Sequence, residues 1–166
     1  MDENFLYAGK PYERVVREYA DMVTRIAILR LQNVQDAEDC FQTVFLKLYH
    51  HHPVFKNPEH LKAWLIQVTI HECLDILKQA WNRKTVCLGE LPPSIYVREA
   101  DENSEVLQMV FRLPAKYRDA IYLYYFEGYS VAEIARLCKR KENTIKSHLK
   151  RARDMLKMEM GGLEDG

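Results

Sequence analysis

The chain has 166 residues, and its 24 lysines and arginines are balanced by 24 aspartates and glutamates, so the formal net charge is zero. Apolar residues make up 48% and charged residues 29%, which is an ordinary soluble globular composition and excludes disorder throughout. The neutral sum argues against a uniformly basic nucleic-acid binder, although it ignores where the charges lie. The length allows one domain or two small ones.

The sequence predicts a cytoplasmic protein. Apolar runs such as Ile26–Leu29 are too short to cross a bilayer, and the acidic first residues lack the basic start and apolar stretch of a signal peptide. The cysteines stand singly and are interpreted as small buried apolar residues rather than disulfide partners; they are Cys40, Cys73, Cys87 and Cys138.

Three long helices are predicted in the first half of the chain, which holds only one of the six glycines. Apolar residues at three- and four-residue steps predict the first helix over Tyr12–Leu31. The second follows Asp36, taken as its N-cap. The third is opened by Asn57 as a cap and Pro58 at the first helical position, and it runs to about Trp81.

Residues 84–104 have no periodic pattern and carry two adjacent prolines, so they are predicted to be a linker. A second helical domain follows. Its first helix spans Glu105–Leu113, and Pro114 restarts a helix that is predicted to end at Gly128 as a C-cap.

The end of the chain has the pattern of a helix-turn-helix. Ser130 and Glu133 form a capping box that starts a short helix over Val131–Leu137. After a tight break, a last helix runs from Glu142 to about Met158. Residues 161–166 are predicted to be a disordered tail.

Positive charge is concentrated in this motif, since Arg136–Lys157 holds nine basic and two acidic residues. Phosphate binding depends on such local density, although a solvated helix face is the alternative interpretation. In a helix-turn-helix the second helix lies in the major groove. Ile145 and Leu149 are expected to face the core. The polar side chains offered to DNA are then Thr144, Lys146, Ser147, His148, Lys150 and Arg151.

Two stretches resemble the extracytoplasmic-function (ECF) branch of bacterial RNA polymerase sigma factors. The segment D-A-E-D-C-F-Q-T-V-F-L-K at residues 36–47 is similar to conserved region 2.2, and Trp64-Leu65 with Asp75-Ile76-Leu77-Lys78 is similar to regions 2.3 and 2.4. The second stretch is similar to region 4; it comprises L-P at 113–114, Y-R at 117–118, F-E-G-Y-S at 126–130, E-I-A at 133–135 and T-I-K-S-H-L-K-R-A-R at 144–153.

The resemblance implies an all-α fold of two small helical domains joined by a flexible linker. Residues 1–83 would form region 2, a bundle of three to four helices, and residues 105–160 would form region 4. The implied function is that of an alternative sigma factor, which binds core RNA polymerase and directs promoter-specific initiation. No catalytic residue, cofactor or metal is implied, and an anti-sigma factor is an expected partner.

The resemblance also implies which residues meet each partner. Region 2 docks on the clamp coiled coil of the β′ subunit, through positions that correspond to Asp36, Asp39, Gln42 and Phe45. Core packing is the alternative role for Phe45, because it lies on the apolar stripe of its helix. N-capping without any contact to the polymerase is the alternative role for Asp36. Region 4 additionally contacts the β flap of the polymerase, through residues that the sequence does not assign.

Promoter contacts follow in the same way. Region 2 opens the −10 element and captures a flipped base, and stacking on an aromatic ring suits an unpaired base. The implied −10 residues are Phe55, Lys56, Asn57, Trp64, Gln67 and His71. Phe55 as core filler is the alternative. Region 4 reads the −35 element with Thr144, Lys146, Ser147, His148, Lys150, Arg151 and Arg153, the last on a phosphate or on acidic groups of its own domain.

This chain departs from the family pattern in the turn of the helix-turn-helix. The family commonly has glycine, an aliphatic residue and serine there, whereas this chain has Lys139-Arg140-Lys141. Losing glycine from a left-handed position costs about 1 kcal/mol. A turn of another shape would avoid this cost, so the sequence leaves the register of the last helix open. His71 also replaces a usual asparagine.

Three other functions fit the sequence less well. The segment His71-Glu72-Cys73-Leu74-Asp75 begins like a zinc-protease H-E-x-x-H motif but ends in aspartate, which argues against metal catalysis. A helix-turn-helix regulator that is not a polymerase subunit would lack the D-A-E-D-x-x-Q segment. A helical interaction module would not explain the basic cluster.

Overall fold

The computed structural model describes residues 4–82 and 104–164, with backbone only at 82, 104 and 160–164. The chain divides into two compact units, Met1–Leu91 and Pro92–Gly166. The predicted linker lies outside the described residues apart from Ser104, and so does Cys87. Within the described ranges, the fold consists of seven helices and one small hairpin, which agrees with the predicted all-α class.

Unit 1 begins with a hairpin that the sequence pattern did not predict. Strand β1 (Leu6–Tyr7) pairs antiparallel with β2 (Lys10–Pro11). The two residues between them, Ala8 and Gly9, have φ angles of 51° and 81°. Left-handed conformation at both central residues is what a type I′ turn requires.

Three long helices follow, as predicted: α1 (Tyr12–Leu31), α2 (Val34–His51) and α3 (Pro58–Asn82). Each helix packs against the other two. Their shared core consists of side chains that are wholly excluded from solvent, among them Val15, Val23, Ala27, Val44, Leu48, Leu61, Leu65 and Ile66. At the edge of this core an ion pair between Lys47 and Glu72 joins α2 to α3.

The predicted N-cap of α2 was wrong by three residues. Asn33 is the cap, and its Oδ1 accepts a hydrogen bond from the backbone N–H of Asp36 at 2.9 Å. Asp36 itself lies in the first turn, where the helix dipole favours a carboxylate. The cap of α3 is as predicted, because Asn57 Oδ1 accepts from the backbone N–H of His60 at 2.8 Å.

The two described cysteines of unit 1 lie in the core, as predicted. Cys40 on α2 and Cys73 on α3 are both completely buried, and their sulfur atoms are 3.7 Å apart. Cys138 in unit 2 is only half-buried, so the prediction of a buried thiol is not met there.

Unit 2 contains α4 (Ser104–Arg112), α5 (Ala115–Tyr125), α6 (Val131–Cys138) and α7 (Glu142–Glu164). Helix α7 packs against the other three. The completely or almost completely buried side chains of this core include Leu107, Val110, Ile121, Leu123, Ile134, Ile145, Leu149 and Ala152. Helix α7 runs past Met158 and includes the first residues of the predicted tail.

The end of α5 differs from the prediction, which made Gly128 its C-cap. The helix ends earlier, at Tyr125, and its C-cap is Phe126, which has a right-handed conformation. Gly128 follows with a φ of 75°, and this turn lets the backbone N–H of Tyr129 reach the carbonyl of Leu123 at 3.0 Å. Gly128 therefore redirects the chain toward α6 after the helix has ended.

No helix in the described part of the chain combines the length and apolarity needed to cross a lipid bilayer.

Candidate polymerase and promoter interfaces

The exposed face of α2 carries two of the four residues that were predicted to meet the polymerase. Asp39 and Gln42 are exposed, and Asp39 accepts a hydrogen bond from the Gln35 side chain at 3.3 Å. Leu46 continues the same face one turn further on and is 52% exposed. Leu46 was not among the predicted contact residues, although its place off the apolar stripe of α2 indicates that it is exposed. We name residues 35, 39, 42 and 46 the α2 face.

Phe45 does not belong to the α2 face. It is 4% exposed, and its ring lies 4.8 Å from that of Phe41. The structure therefore favours the alternative, core packing, and corrects its assignment as a contact side chain. Asp36 is half-buried in the first turn of α2, so its carboxylate is less open than that of Asp39.

The loop between α2 and α3, residues 52–57, holds Phe55 half-buried rather than in the core. The Phe55 ring meets the rings of His60 and Trp64 edge-on, at centroid distances of 5.3 and 5.8 Å. The next residue, Lys56, is exposed, and its backbone N–H donates to His60 Nδ1 at 3.3 Å. His60 thus supports the loop in two ways, since its ring accepts from Lys56 and its backbone N–H donates to Asn57. The sequence did not predict this role.

Helix α3 continues this surface. His60, Trp64, Gln67 and His71 recur at three- and four-residue steps, which places them on one side of the helix. Trp64 is half-buried and the others are exposed. His71 Nε2 lies 3.6 Å from the carboxylate of Asp75. We name the Phe55 loop together with this side of α3 the aromatic face.

The H-E-x-x-D segment does not gather further ligands. Across residues 4–82 and 104–164, no three histidine, cysteine or acidic side chains are grouped closely enough to hold a metal ion.

Helix α7 presents its basic residues outward, as predicted. Ile145 and Leu149 are 1% and 2% exposed, which fixes the register of the helix. Lys146, Ser147 and Lys150 are exposed on the opposite side, and Thr144 is half-buried. We name the exposed residues 146, 147, 150 and 151 the basic face.

His148 turns inward instead of joining the basic face. Its ring lies 5.3 Å from that of Tyr117 on α5, and its Nδ1 atom is buried. Burial lowers the pKa of His148, and the positive charges of Arg140, Lys116 and Arg151 lower it further. His148 is therefore half-buried against α5 and offers less of its ring to DNA than the exposed residues of the basic face, and its role in reading a base stays a prediction.

Two arginines of α7 contact tyrosines of α5. A hydrogen bond with Arg151 lowers the pKa of Tyr117, against the raising effect of burial. Arg153 Nε donates to the Tyr125 hydroxyl at 2.5 Å, and its guanidinium lies 5.4 Å from the centre of the Tyr124 ring. The described neighbours of Arg153 are therefore aromatic, whereas acidic groups of its own domain were one of its two expected partners, beside a phosphate. Arg151 remains exposed despite its contact.

The turn between α6 and α7 keeps its left-handed residue without glycine. Lys139 adopts φ 54° and ψ 50° and closes α6 as its C-cap. The backbone N–H of Arg140 donates to the Ala135 carbonyl at 2.9 Å, which completes the turn. The capping box of α6 is present as predicted, with Ser130 and Glu133 each accepting from the other's backbone N–H.

Comparison with known protein families identifies both units. The model described as Sigma-70 region 2 matches residues 15–83, and the model described as Sigma-70, region 4 matches residues 104–156. Together these matches span more than half of the chain, so it belongs to the sigma-70 family of RNA polymerase sigma factors.

Two relatives of similar sequence are ECF sigma factors. The chain is 28% identical to the ECF RNA polymerase sigma factor SigM of Mycobacterium tuberculosis, over 93% of this chain and 80% of that protein. It is 24% identical to the ECF RNA polymerase sigma factor SigW of Bacillus subtilis, over 90% of this chain and 88% of that protein.

Solved structures agree in fold. The sigma factor RpoE of Bartonella quintana, in complex with the anti-sigma factor NepR, superposes with a TM-score of 0.70 at 22% identity, over 89% of this chain and 94% of that one. CnrH, in complex with the cytosolic domain of CnrY, gives a TM-score of 0.60 at 18% identity, over 91% and 88% of the two chains.

The protein is therefore an ECF sigma factor, as the resemblance implied: a non-catalytic subunit that directs RNA polymerase to initiate transcription at specific promoters.

Proposed function

We propose that the α2 face docks on the clamp coiled coil of the β′ subunit. Asp39 and Gln42 offer polar groups and Leu46 offers 52% of its apolar surface in the same row. A row of polar groups beside an exposed leucine suits a protein partner, because the leucine gains from burial while the polar groups set the register. Asp36 lies at the edge of this contact.

We further propose that the aromatic face captures unpaired bases of the −10 element. The half-buried ring of Phe55 is held between His60 and Trp64 yet keeps part of its surface open to a base. Stacking on such a ring contributes about 1–3 kcal/mol per base, which offsets the few kcal/mol that unstacking costs. Lys56 would meet the backbone phosphate, and Gln67 and His71 would read neighbouring bases. Asn57 serves mainly as the helix cap.

The basic face is proposed to read the −35 element from the major groove. Lys146, Ser147 and Lys150 point away from the core and are free to meet base edges and phosphates. Arg151 would contact a phosphate. Thr144 lies at the edge of this surface, and Arg153 supports it by fastening α7 to α5.

In this proposal each unit has its own task. Residues 1–83 bind the polymerase and melt the −10 element, and residues 105–160 read the −35 element. The β flap of the polymerase and an anti-sigma factor would be further partners, and the protein would act in the cytoplasm, where the polymerase works. One observation carries the proposal: the polar, aromatic and basic side chains matched to partner sites are mostly the ones that the packing leaves outside the core.

A reconstituted transcription assay tests the whole proposal. The full chain is mixed with core RNA polymerase and genomic DNA, and the transcripts are sequenced from their 5′ ends. We expect a discrete set of start sites that share −10 and −35 elements, absent with core polymerase alone. Binding to the same upstream DNA without any transcription would instead favour a helix-turn-helix regulator that is not a polymerase subunit.

A further inference from the structure

The N-terminal hairpin contacts the residue at which α2 ends. The Tyr7 hydroxyl lies 3.2 Å from Nδ1 of His52, although the two residues are 45 positions apart. The ring of Phe5 lies 4.6 Å from the imidazole. Tyr7 is 1% exposed, so this contact is part of the folded unit rather than a surface encounter. The hairpin precedes residues 15–83, which the family model matches.

His52 has an unusual backbone conformation. It is the C-cap of α2, with φ 45° and ψ 54°, and its N–H donates to the Leu48 carbonyl at 3.2 Å. Residues with a Cβ adopt this left-handed conformation at a cost, so surrounding contacts must hold it. The contacts with Tyr7 and Phe5 supply that support. His52 is also the first residue of the loop that carries Phe55.

The loop is therefore fixed at both ends. At its far end, His60 accepts from the Lys56 backbone, and Asn57 caps α3. At its near end, the direction in which the chain leaves α2 is set by His52 and by the hairpin that holds it. An aromatic ring that is already in place loses less conformational freedom when it binds a base, so fixing the loop increases affinity without a new DNA contact.

We propose that the hairpin and His52 form a latch that positions Phe55 and Lys56 for capture of an unpaired promoter base. Tyr7 and His52 are positioning residues, since neither is among the side chains proposed to contact the base. Burial raises the pKa of Tyr7, and the neighbouring Tyr12 and Tyr49 raise it further. The hydroxyl therefore keeps its proton at neutral pH and shares a hydrogen bond with His52 Nδ1, in which the donor is set by the tautomer of the imidazole. The latch rests on the proposed stacking role of Phe55.

The test uses the full chain assembled with core polymerase, and a single-stranded oligonucleotide that carries the non-template −10 bases of a promoter mapped for this holoenzyme. Tyr7→Phe removes only the hydroxyl, and His52→Asn keeps a residue that tolerates the left-handed conformation while removing the ring. We expect each variant to bind the oligonucleotide about three- to tenfold more weakly, the range expected for one lost hydrogen bond. The affinity for core polymerase should not change. His51→Asn is the matched control, because His51 is exposed and lies next to His52.

A double-mutant cycle separates positioning from general stability. If the latch acts through Phe55, adding Tyr7→Phe to Phe55→Ala should weaken binding no further than Phe55→Ala alone. Additive losses would overturn the latch, and so would a lower melting temperature of Tyr7→Phe with unchanged oligonucleotide binding. If Phe55→Ala binds the oligonucleotide like the wild type, the stacking role has failed and the latch fails with it. If Phe55→Ala binds more weakly but Tyr7→Phe binds like the wild type, the stacking role stands and only the latch fails.

Discussion

The faces of the two units that are proposed to bind DNA differ in chemistry. The aromatic face of unit 1 has half-buried rings around Phe55 and Trp64, in a part of the chain whose residues 1–83 hold 10 basic and 11 acidic groups. The basic face of unit 2 has exposed lysines, in a part whose residues 105–166 hold 12 basic and 9 acidic groups. Stacking depends little on salt, whereas phosphate contacts depend on it steeply. Residues 84–104 carry the remaining net charge of −2, so the chain as a whole is neutral, and the free chain is expected to bind DNA weakly.

The largest effect is expected from a change that separates unit 1 from the polymerase altogether. Asp39→Arg reverses a charge at the centre of the α2 face, and disturbing a charge pair at a buried interface costs about 2–5 kcal/mol. Affinity for core polymerase, measured by fluorescence anisotropy, should fall at least ~30-fold. Glu38→Arg is the matched control, since Glu38 is exposed on the same turn but off the α2 face. Equal losses in both variants would show a general charge effect and contradict the docking surface.

Phe55→Ala tests the aromatic side of the comparison. Losing one stacked base should weaken binding of the −10 single strand to the holoenzyme by roughly 5- to 150-fold. The loss should be nearly the same at low and high salt, because it removes no charge. Val54→Ala serves as the control, since Val54 is 83% exposed beside it. A loss that disappears at high salt would contradict stacking.

The basic side is tested by Lys150→Ala combined with Arg151→Ala. Each lost phosphate contact reduces the slope of log K against log salt by about 0.9, so the pair should reduce it by about 1.8. The slope is measured with holoenzyme on duplex DNA that contains the −35 element. Lys157→Ala, at an exposed lysine further along α7, should leave the slope unchanged. An unchanged slope in the double variant would remove the basic face from the DNA interface.

The smallest effect concerns the turn that sets the angle of the basic face. Lys139→Gly relieves a left-handed conformation that costs a residue with a Cβ about 1 kcal/mol. The free energy of unfolding, measured in urea, should therefore rise by roughly that amount. Arg140→Gly removes the same charge from a residue without a positive φ and should give no gain. A gain in both variants would point to charge repulsion in the turn rather than to backbone strain.

Local patterns predicted most of the helices but not every boundary. Apolar spacing located α1 to the residue, and the capping box located the start of α6. The cap of α2 was misplaced because Asn33 and Asp36 both suit an N-cap, and only the geometry shows which side chain accepts the bond. Gly128 was read as a cap because glycine favours a left-handed turn, which it does form, but after the helix has ended.

Side-chain direction was predictable only where the apolar stripe was clear. Ile145 and Leu149 fixed the register of α7, and with it the exposure of Lys146 and Lys150. His148 lies at the edge of that stripe, and only its packing on Tyr117 shows that it faces inward. The contact between Tyr7 and His52 has no local signal at all, because it joins residues far apart in sequence through the tertiary fold.

The hairpin at the start of unit 1 has a consequence for dynamics. It consists of two-residue strands joined by a turn that holds Ala8 in a left-handed conformation. Its opening is opposed mainly by the buried ring of Tyr7, the contacts with His52 and the ion pair between Lys10 and Glu18. Segments of this kind open locally at a free energy well below that of global unfolding. We expect its backbone amides to exchange with deuterated water before those of α1 and α2. A base bound at Phe55 would then slow that exchange by favouring the closed hairpin. Binding of a base to the loop would therefore be detected as slower amide exchange in the hairpin.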